Sequence, residues 1–481
     1  MTRASLIEKL TAAVGEDYIH TAPEALRTYD CDALTIYKGT PAAAVMPADT
    51  EQVCRVIEIC REEEAPFIAR GAGTCLSGGA TPAPGGVLAV LTRMNQILEI
   101  DYENRLARVQ AGVVNLHLSN ATRPHGFHYA PDPSSQMACT IGGNAAENAG
   151  GAHCLKYGMT TNHVLAMTVV LSSGEVVRLG ADGEEAPGFD LRGFFVGSEG
   201  TFAVITELTV RLTPNPEGVR TMLASFAAVG DACRTVSDII AAGAVPAAME
   251  LMDRHTVEAV EAVMHAGYPR DAAAVLLIEL DGLVSSMKPL ESIVRRICGE
   301  NHCTDFRLAA DEAERESLWK GRKGAFGAFG AIAPAFYCLD GTVPRSKLAE
   351  VLAEFDGIGE RFGLRITNVF HAGDGSLHPN VLFDERVPNE TGRAVECGAE
   401  VLKACIRAGG VLSGEHGIGI EKINEMREQF DESTLAMMGR LQRAIEPSGR
   451  MNPGKVLPGG EVSFPIARAG GVAGMPAAFS K

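Results

Sequence analysis

No two of the chain's 12 cysteines stand in a CxxC pair, and that absence excludes several kinds of protein at once. Structural zinc ribbons, thioredoxin-like redox pairs and iron–sulfur clusters with the usual thiolate spacings all need such pairs. Spread over 481 residues, most of these thiols read as small core residues. If the protein moves electrons, something other than an iron–sulfur cluster of its own carries them. No apolar run approaches the roughly 18 residues a membrane helix needs. The start of the chain has Glu8, Glu16 and Asp17 where a secretion signal has a basic and then an apolar stretch. Positive charge is scarce, 43 Lys and Arg against 60 Asp and Glu, and the net −17 opposes binding to nucleic acid or anionic lipid. A small anionic substrate must then be held by a local cluster. These absences point to a soluble cytoplasmic protein. There is no internal repeat, and the last dozen residues, rich in Gly and Ala, are expected to fray.

What is present is enough for two or three domains: 481 residues, 46% of them apolar. An amphipathic helix with Leu6, Leu10 and Val14 opens the chain. A β-α-β pattern follows, in which Ala48-Asp49-Thr50 can cap a helix carrying Val53, Val56, Ile57 and Cys60 at helical spacing. Short strands are expected around VLAVLT, ILEID, LARVQAG, MTVVLS, EVVRLG and FAVITELTVRL, with a helix near 113–124. Thr213-Pro214-Asn215-Pro216-Glu217-Gly218 is the clearest boundary signal. Beyond it helices and strands alternate, with helical patterns at 310–318, 388–408 and 420–445. The division expected is 1–37, 38–216, 217–440 and a turn-rich 441–481 that returns to the first domain.

The chemistry concentrates near residue 371. His371 and His378 flank Gly373-Asp374-Gly375-Ser376, and Glu415-His416 follows inside a glycine-rich run. If those four residues form the turn of a hairpin, His371 lies directly across from His378, with Cβ atoms roughly 5 Å apart on one face. Two imidazoles so placed can share a divalent metal such as zinc or manganese, with Glu415 as third ligand and positions left open for substrate. The alternative is an ordinary surface or hydrogen-bonded pair, the commoner fate of histidines. Asn380 faces the same way as His378 by strand alternation, and the Gly414-to-Gly419 run crowds polar side chains where backbones approach closely. Both features favour the metal.

Glycine loops mark the first half. RGAGTCLSGG at 70–79 follows a strand, as a loop that cradles phosphate should. It is not the GxGxxG dinucleotide fingerprint, because Leu76 stands where the third glycine belongs. Nor is it a P-loop; the near match ending at Gly454-Lys455 contains Pro453 and lacks the Ser or Thr. A second loop, PDPSSQMACTIGGNAAENAGG at 131–151, and GSEGTFAVITE at 197–207 have the same character. Any one of them can be a mere tight turn. Together they suit a long ligand with a diphosphate and a ring system.

These strings, with LKYGMT, resemble those of the vanillyl-alcohol-oxidase-type flavoproteins and cover most of residues 40–215. The second half resembles the 2-hydroxy-acid dehydrogenase branch through VFHAGDGSLHPN, GGVLSGEHGIGIEK and MNPGKVLP. YCLDGTVPR at 337–345 is especially similar to the FAD-binding subunits of bacterial glycolate oxidases. The resemblance implies an α+β fold: a two-part PCMH-type FAD-binding domain, then an α+β substrate domain with an antiparallel sheet. It implies non-covalent FAD, its diphosphate held by Arg70, Gly71, Ala72, Gly73, Thr74, Cys75, Ser77 and Gly78. Pro131, Asp132, Thr140, Gly142, Gly143, Asn144, Asn148, Gly150, Gly151 and Tyr157 would line the cofactor. Glu199, Gly200 and Ile205 would close around its adenosine end, and Asn452 would join them. His371, His378 and Glu415 match the metal ligands of that branch, His416 the catalytic base, and Arg322 an arginine that grips the substrate carboxylate. Asn380 is the further substrate contact. Ser376 replaces a frequent asparagine, and Cys338 stands where 2-hydroxyglutarate dehydrogenases place a lysine, which favours a short monocarboxylic acid.

The reaction these matches imply is oxidation of a small 2-hydroxy acid, glycolate first. A metal acidifies the hydroxyl, His416 takes its proton, and hydride goes to flavin N5. An iron–sulfur subunit and a second flavin-type subunit would then take the electrons, with membrane association at most peripheral and through those partners. D-lactate and D-2-hydroxyglutarate dehydrogenases are the nearest rivals. A non-redox flavin-dependent transferase and an idle FAD-binding subunit stand further off.

Overall fold

A computed structural model of the chain describes residues 3–183, 188–460, 462 and 464–466. The expectation of a frayed final dozen lies outside the described residues. The chain divides into two compact units. One is drawn from Met1–Ala149, Met159–Pro214 and His416–Lys481, the other from Gly150–Gly158 and Asn215–Glu415. The units therefore differ from the linear division expected above: a nine-residue stretch, Gly150–Gly158, goes with the second unit, and the return to the first begins at His416.

In the first unit, helix Arg3–Val14 buries Leu6, Leu10 and Val14. Helix Thr50–Glu62 begins where the Asp49 side chain accepts from Gln52 N, and it buries Val53, Val56, Ile57 and Cys60. That helix connects strand Ala43–Val45 to strand Phe67–Arg70. Both run parallel to Val87–Val90, which lies between them in a four-stranded sheet. A five-stranded antiparallel sheet follows, in the order Ile97–Asp101, Leu106–Gln110, Ala203–Arg211, Val164–Leu171, Val176–Gly180. Their apolar sides join one core that includes Phe67, Val109, Met167 and Val204. The segment around Met451 adds to the four-stranded sheet through a parallel bridge to Phe67.

The expected single helix over 420–445 is divided. Met426–Gln429 ends at Phe430, whose backbone is extended, and Glu432–Ile445 begins afresh at Asp431, whose carboxylate accepts from Thr434 N. The Asp side chain competes with the backbone for the helix donors and resets the turn.

The second unit is built on a seven-stranded antiparallel sheet in the order Cys303–Leu308, Gly218–Phe226, Ala274–Gly282, Ala248–Asp253, Arg365–His371, Pro379–Phe383, Ala335–Cys338. On one face Met252, Val275, Leu277, Val369 and Leu382 pack against Val257, Val260, Leu318, Trp319 and Ala325, side chains of helices Arg254–Val263, Glu312–Lys323 and Ala325–Ala328. Strand alternation puts Glu250, His371 and Glu279 on this same face, together with the buried Thr221, Ser225, Thr367 and Asn380.

Candidate functional site

The hairpin that carries the two histidines turns two positions away from the expected register. Asn368 pairs with Pro379 and His371 bridges Ser376, so His371 is not directly opposite His378. The turn is Ala372–Gly375. Gly375 has φ +85°, and a Cβ there would sit 2.2 Å from the Val343 carbonyl. A shift of two residues leaves side chains on their original face, so the rings still meet, as diagonal neighbours with centroids 5.0 Å apart and planes at 88°.

Both rings aim Nε2 at one carboxylate oxygen, Glu415 Oε1, at 3.2 Å from His371 and 2.9 Å from His378. Glu415 is held from behind. Its backbone N–H donates to Asp340 Oδ1 at 3.1 Å, the preceding Gly414 N–H donates to the Asp340 carbonyl, and Ser413 Oγ donates to Asp340 Oδ2 at 2.6 Å. Gly150 makes room for it, since a Cβ there would lie 2.6 Å from Glu415 Oε2. The three ligand atoms all fall within 4.8 Å of one another. Two imidazole nitrogens and a carboxylate oxygen, converging and buried, fit a divalent ion. Burial alone would lower the His371 pKa, but Glu250 and Glu415 outweigh it and hold it well above the usual histidine range. Burial would raise Glu415, yet His371 and His378 hold it well below the carboxylate range.

Glu250, invisible to local motif reading, sits directly across the ladder from His371 and accepts from its Nδ1 at 2.8 Å. It also receives Arg322, whose Nε lies 2.7 Å from Oε2. Arg322 is thus a buried arginine on the inward side of helix Glu312–Lys323. Asn380 is fully buried beside Cys338 in the ladder. Its Nδ2 donates to the His378 carbonyl at 2.7 Å, and its Oδ1 has no partner among the described residues. His416 is half-buried and follows Glu415 directly. Further along the same face Glu279 gathers Arg315 (3.0 Å), Trp319 Nε1 (2.6 Å), Thr221 Oγ1 (2.6 Å) and His153 (3.5 Å). Burial works against its charge, but these partners hold its pKa down to about 2.

The first unit holds most of the cofactor candidates. Gly73 (φ +73°) and Gly78 (φ +82°) need the left-handed backbone, and the space their missing side chains leave is taken by protein. A Cβ at Gly73 would lie 2.0 Å from the Arg70 guanidinium, and one at Gly78 would lie 2.3 Å from Ile420. The glycines therefore let neighbouring segments close on the loop. Among the described residues, none of the N–H groups of Gly71, Ala72, Gly73 and Thr74 donates to a protein acceptor. Four amides left over on a turn are what an anionic diphosphate requires. Ser77 Oγ faces Cys75 Sγ at 3.2 Å, and Arg70 is anchored on the Cys31 carbonyl at 2.7 Å.

Thr140 caps helix Ile141–Glu147 by accepting from Gly143 N, and Asn148 ends it in the left-handed conformation. Asn115 Nδ2 ties the Pro131 carbonyl (2.9 Å) to Asn144 Oδ1 (3.0 Å). Gly142 packs on Ala111, and Asp132 belongs to the same unit. The Glu199 carboxylate accepts from Ile418 N (2.7 Å) and Gly419 N (2.6 Å), and next to it Gly200 has φ +70°. Ile205 is a core residue of its strand, while Asn452 Nδ2 spans the Gly79 and Glu199 carbonyls and leaves Oδ1 buried without a partner among the described residues. Gly150, Gly151 and Tyr157 belong instead to the second unit, where the Tyr157 hydroxyl bonds Asp281. Lys455 is another unforeseen polar residue: it is fully buried, donates to the Gly79 carbonyl at 2.6 Å, and is pushed down to about 8 by burial.

Residues 41–180 match the model of an FAD binding domain, and residues 215–456 match that of the FAD linked oxidases, C-terminal domain. The chain is 48% identical to the glycolate oxidase subunit GlcD of Escherichia coli over 457 residues, 95% of this chain and 91% of that one. It is 37% identical to GlcD of Bacillus subtilis, over 93% and 96% of the two chains. It is 33% identical to a D-lactate dehydrogenase of Anaerostipes hadrus, over 92% and 93%. Solved structures share the fold at low identity. p-Cresol methylhydroxylase gives a TM-score of 0.79 at 19% identity over 94% of this chain and 96% of that one; an alkyldihydroxyacetonephosphate synthase gives 0.75 at 17% over 95% and 86%. These bear out the α+β, PCMH-type expectation. The chain is an FAD-linked oxidoreductase and belongs to the family of FAD-linked oxidases.

Proposed function

We propose that this enzyme oxidises a short 2-hydroxy acid to the 2-oxo acid, with glycolate as the first candidate substrate. The observation that carries the reading is the convergence of His371, His378 and Glu415 in one buried cage. Relatives named for glycolate and for D-lactate, both 2-hydroxy acids, support it. A divalent ion in that cage supplies a Lewis acid that acidifies the substrate hydroxyl. FAD supplies the acceptor for the hydride that leaves Cα. His416 receives the hydroxyl proton. Arg322 is the cation for the substrate carboxylate, and Glu250 fixes its position. Asn380, with Oδ1 buried and unpartnered, offers an acceptor beside His378. Cys338 brings no charge for a second carboxylate, which favours a monocarboxylic acid.

The chain has no CxxC pair, and the GlcD relatives are named as subunits. We therefore assign the onward electrons to a partner carrying iron–sulfur clusters, alongside a second flavin-type subunit. No helix of the described residues is long and apolar enough to cross a membrane, so membrane contact is assigned to the partners.

The test is anaerobic bleaching of the yellow protein by glycolate, D-lactate and D-2-hydroxyglutarate, each with and without a chelator. Bleaching by glycolate that the chelator suppresses is expected. Preference for D-lactate moves the enzyme to the runner-up reading, which the 33% identical relative supports. If no hydroxy acid bleaches the flavin, the proposal fails.

A further inference from the structure

We infer that Glu250 is the positioning residue that couples the metal cage to the substrate-binding arginine, an inference that rests on the reading of the cage just given. Glu250 is completely buried on a central strand of the seven-stranded sheet, in register with His371. Directly opposed residues of an antiparallel pair hold their Cβ atoms about 5 Å apart. Strand pairing therefore sets this contact, and no flexible loop intervenes. Both carboxylate oxygens face His371 Nδ1, at 2.8 and 2.9 Å. A carboxylate paired with a guanidinium accepts only, so Nδ1 carries a proton, and a metal ion in the cage would take the lone pair of Nε2, the nitrogen aimed at Glu415 Oε1.

The same Oε2 accepts from Arg322 Nε at 2.7 Å, and the terminal nitrogen Nη2 lies 2.6 Å away as an ion pair. One side chain thus orients the ligand imidazole on one side and the arginine on the other. A buried pair of this kind is poor value as glue, since apolar residues of equal volume stabilise a core as well or better. Its contact with both a ligand imidazole and a buried arginine, beside Met252, Val369 and Leu277, calls for an orienting role. Asp340 is the corresponding support on the far side, holding the Glu415 backbone, but its Oδ1 stands 3.9 Å from His378 Nδ1, beyond hydrogen-bond reach.

The experiment uses the full-length flavoprotein, stripped of metal and titrated with Zn2+ against a chromophoric chelator. Flavin absorbance reports integrity throughout. E250Q is expected to weaken Zn2+ binding by about 10- to 100-fold and to raise KM for the hydroxy acid, with flavin retained. R322K is expected to raise KM while leaving Zn2+ affinity within about 3-fold, because Glu250 and His371 remain paired. Zn2+ affinity in E250Q equal to wild type overturns the inference, as does an equal loss in R322K. Should E250Q lose its flavin, E250D decides by the same readout: its carboxylate is one methylene short, and unchanged Zn2+ affinity overturns the inference. A wild-type protein that takes up no stoichiometric Zn2+ sinks the cage itself, a failure distinct from the other two.

Discussion

Glu279 keeps its charge where almost no water reaches, and the sign of its effect on stability follows from that. Its pKa is about 2 in the folded chain against 4.5 for an ordinary glutamate. The stability it confers is present in full above pH 4.5 and is lost as pH falls from there toward 2. E279Q is expected to destabilise the second unit by about 3 kcal/mol at pH 7. The gap from wild type should narrow steadily below pH 4.5, as read by urea unfolding at a series of pH values. For His416, replacement by Ala should cut turnover by about 10²- to 10⁴-fold with flavin content unchanged, and loss of flavin would mark a structural residue instead. His371, His378 and Glu415 were readable because they sit in two short motifs, the histidines in one and the glutamate in the other. Glu250 was not, because it lies 121 residues from the histidine it holds and carries no local pattern beyond strand alternation.

Secondary-structure elements were legible wherever burial repeats along the chain. The helix with Leu6, Leu10 and Val14 and the one with Val53, Val56, Ile57 and Cys60 follow directly from apolar spacing. The division of 420–445 was also written locally, in Asp431 followed three residues later by Thr434, a capping signal that outweighs the continuing helical pattern. D431A should cost about 1 kcal/mol in thermal stability and leave turnover untouched. The loop at 70–79 was recognisable by composition, but the reason for its glycines differs from the simplest expectation. Gly73 clears the way for Arg70, and the amides of 71–74 are left for a ligand. G73A combines a left-handed backbone with a clash, so FAD affinity is expected to drop by at least about 10-fold, measured by flavin fluorescence during reconstitution.

For the whole molecule, the prediction concerns what can be removed. Dialysis against a chelator should leave the protein yellow while kcat/KM falls by about two orders of magnitude or more, and zinc or manganese should restore it; activity indifferent to chelation would rule out the cage. The chain alone should reduce artificial dyes readily and produce peroxide slowly, since its electrons are assigned to a partner. Glycine spacing and the paired motifs pointed to a long diphosphate ligand and a metal cage, because those patterns act over a few residues, and resemblance to known flavoproteins supplied the FAD-linked oxidoreductase. Strand order was needed for the rest. Which carboxylate stands behind which histidine depends on a ladder joining strands more than a hundred residues apart, Arg322 turns inward to a glutamate 72 residues away, and the hairpin that slips by two positions is flanked on both sides by other strands of the sheet. Such registers are set by the packing of a complete sheet, and no window of sequence contains it.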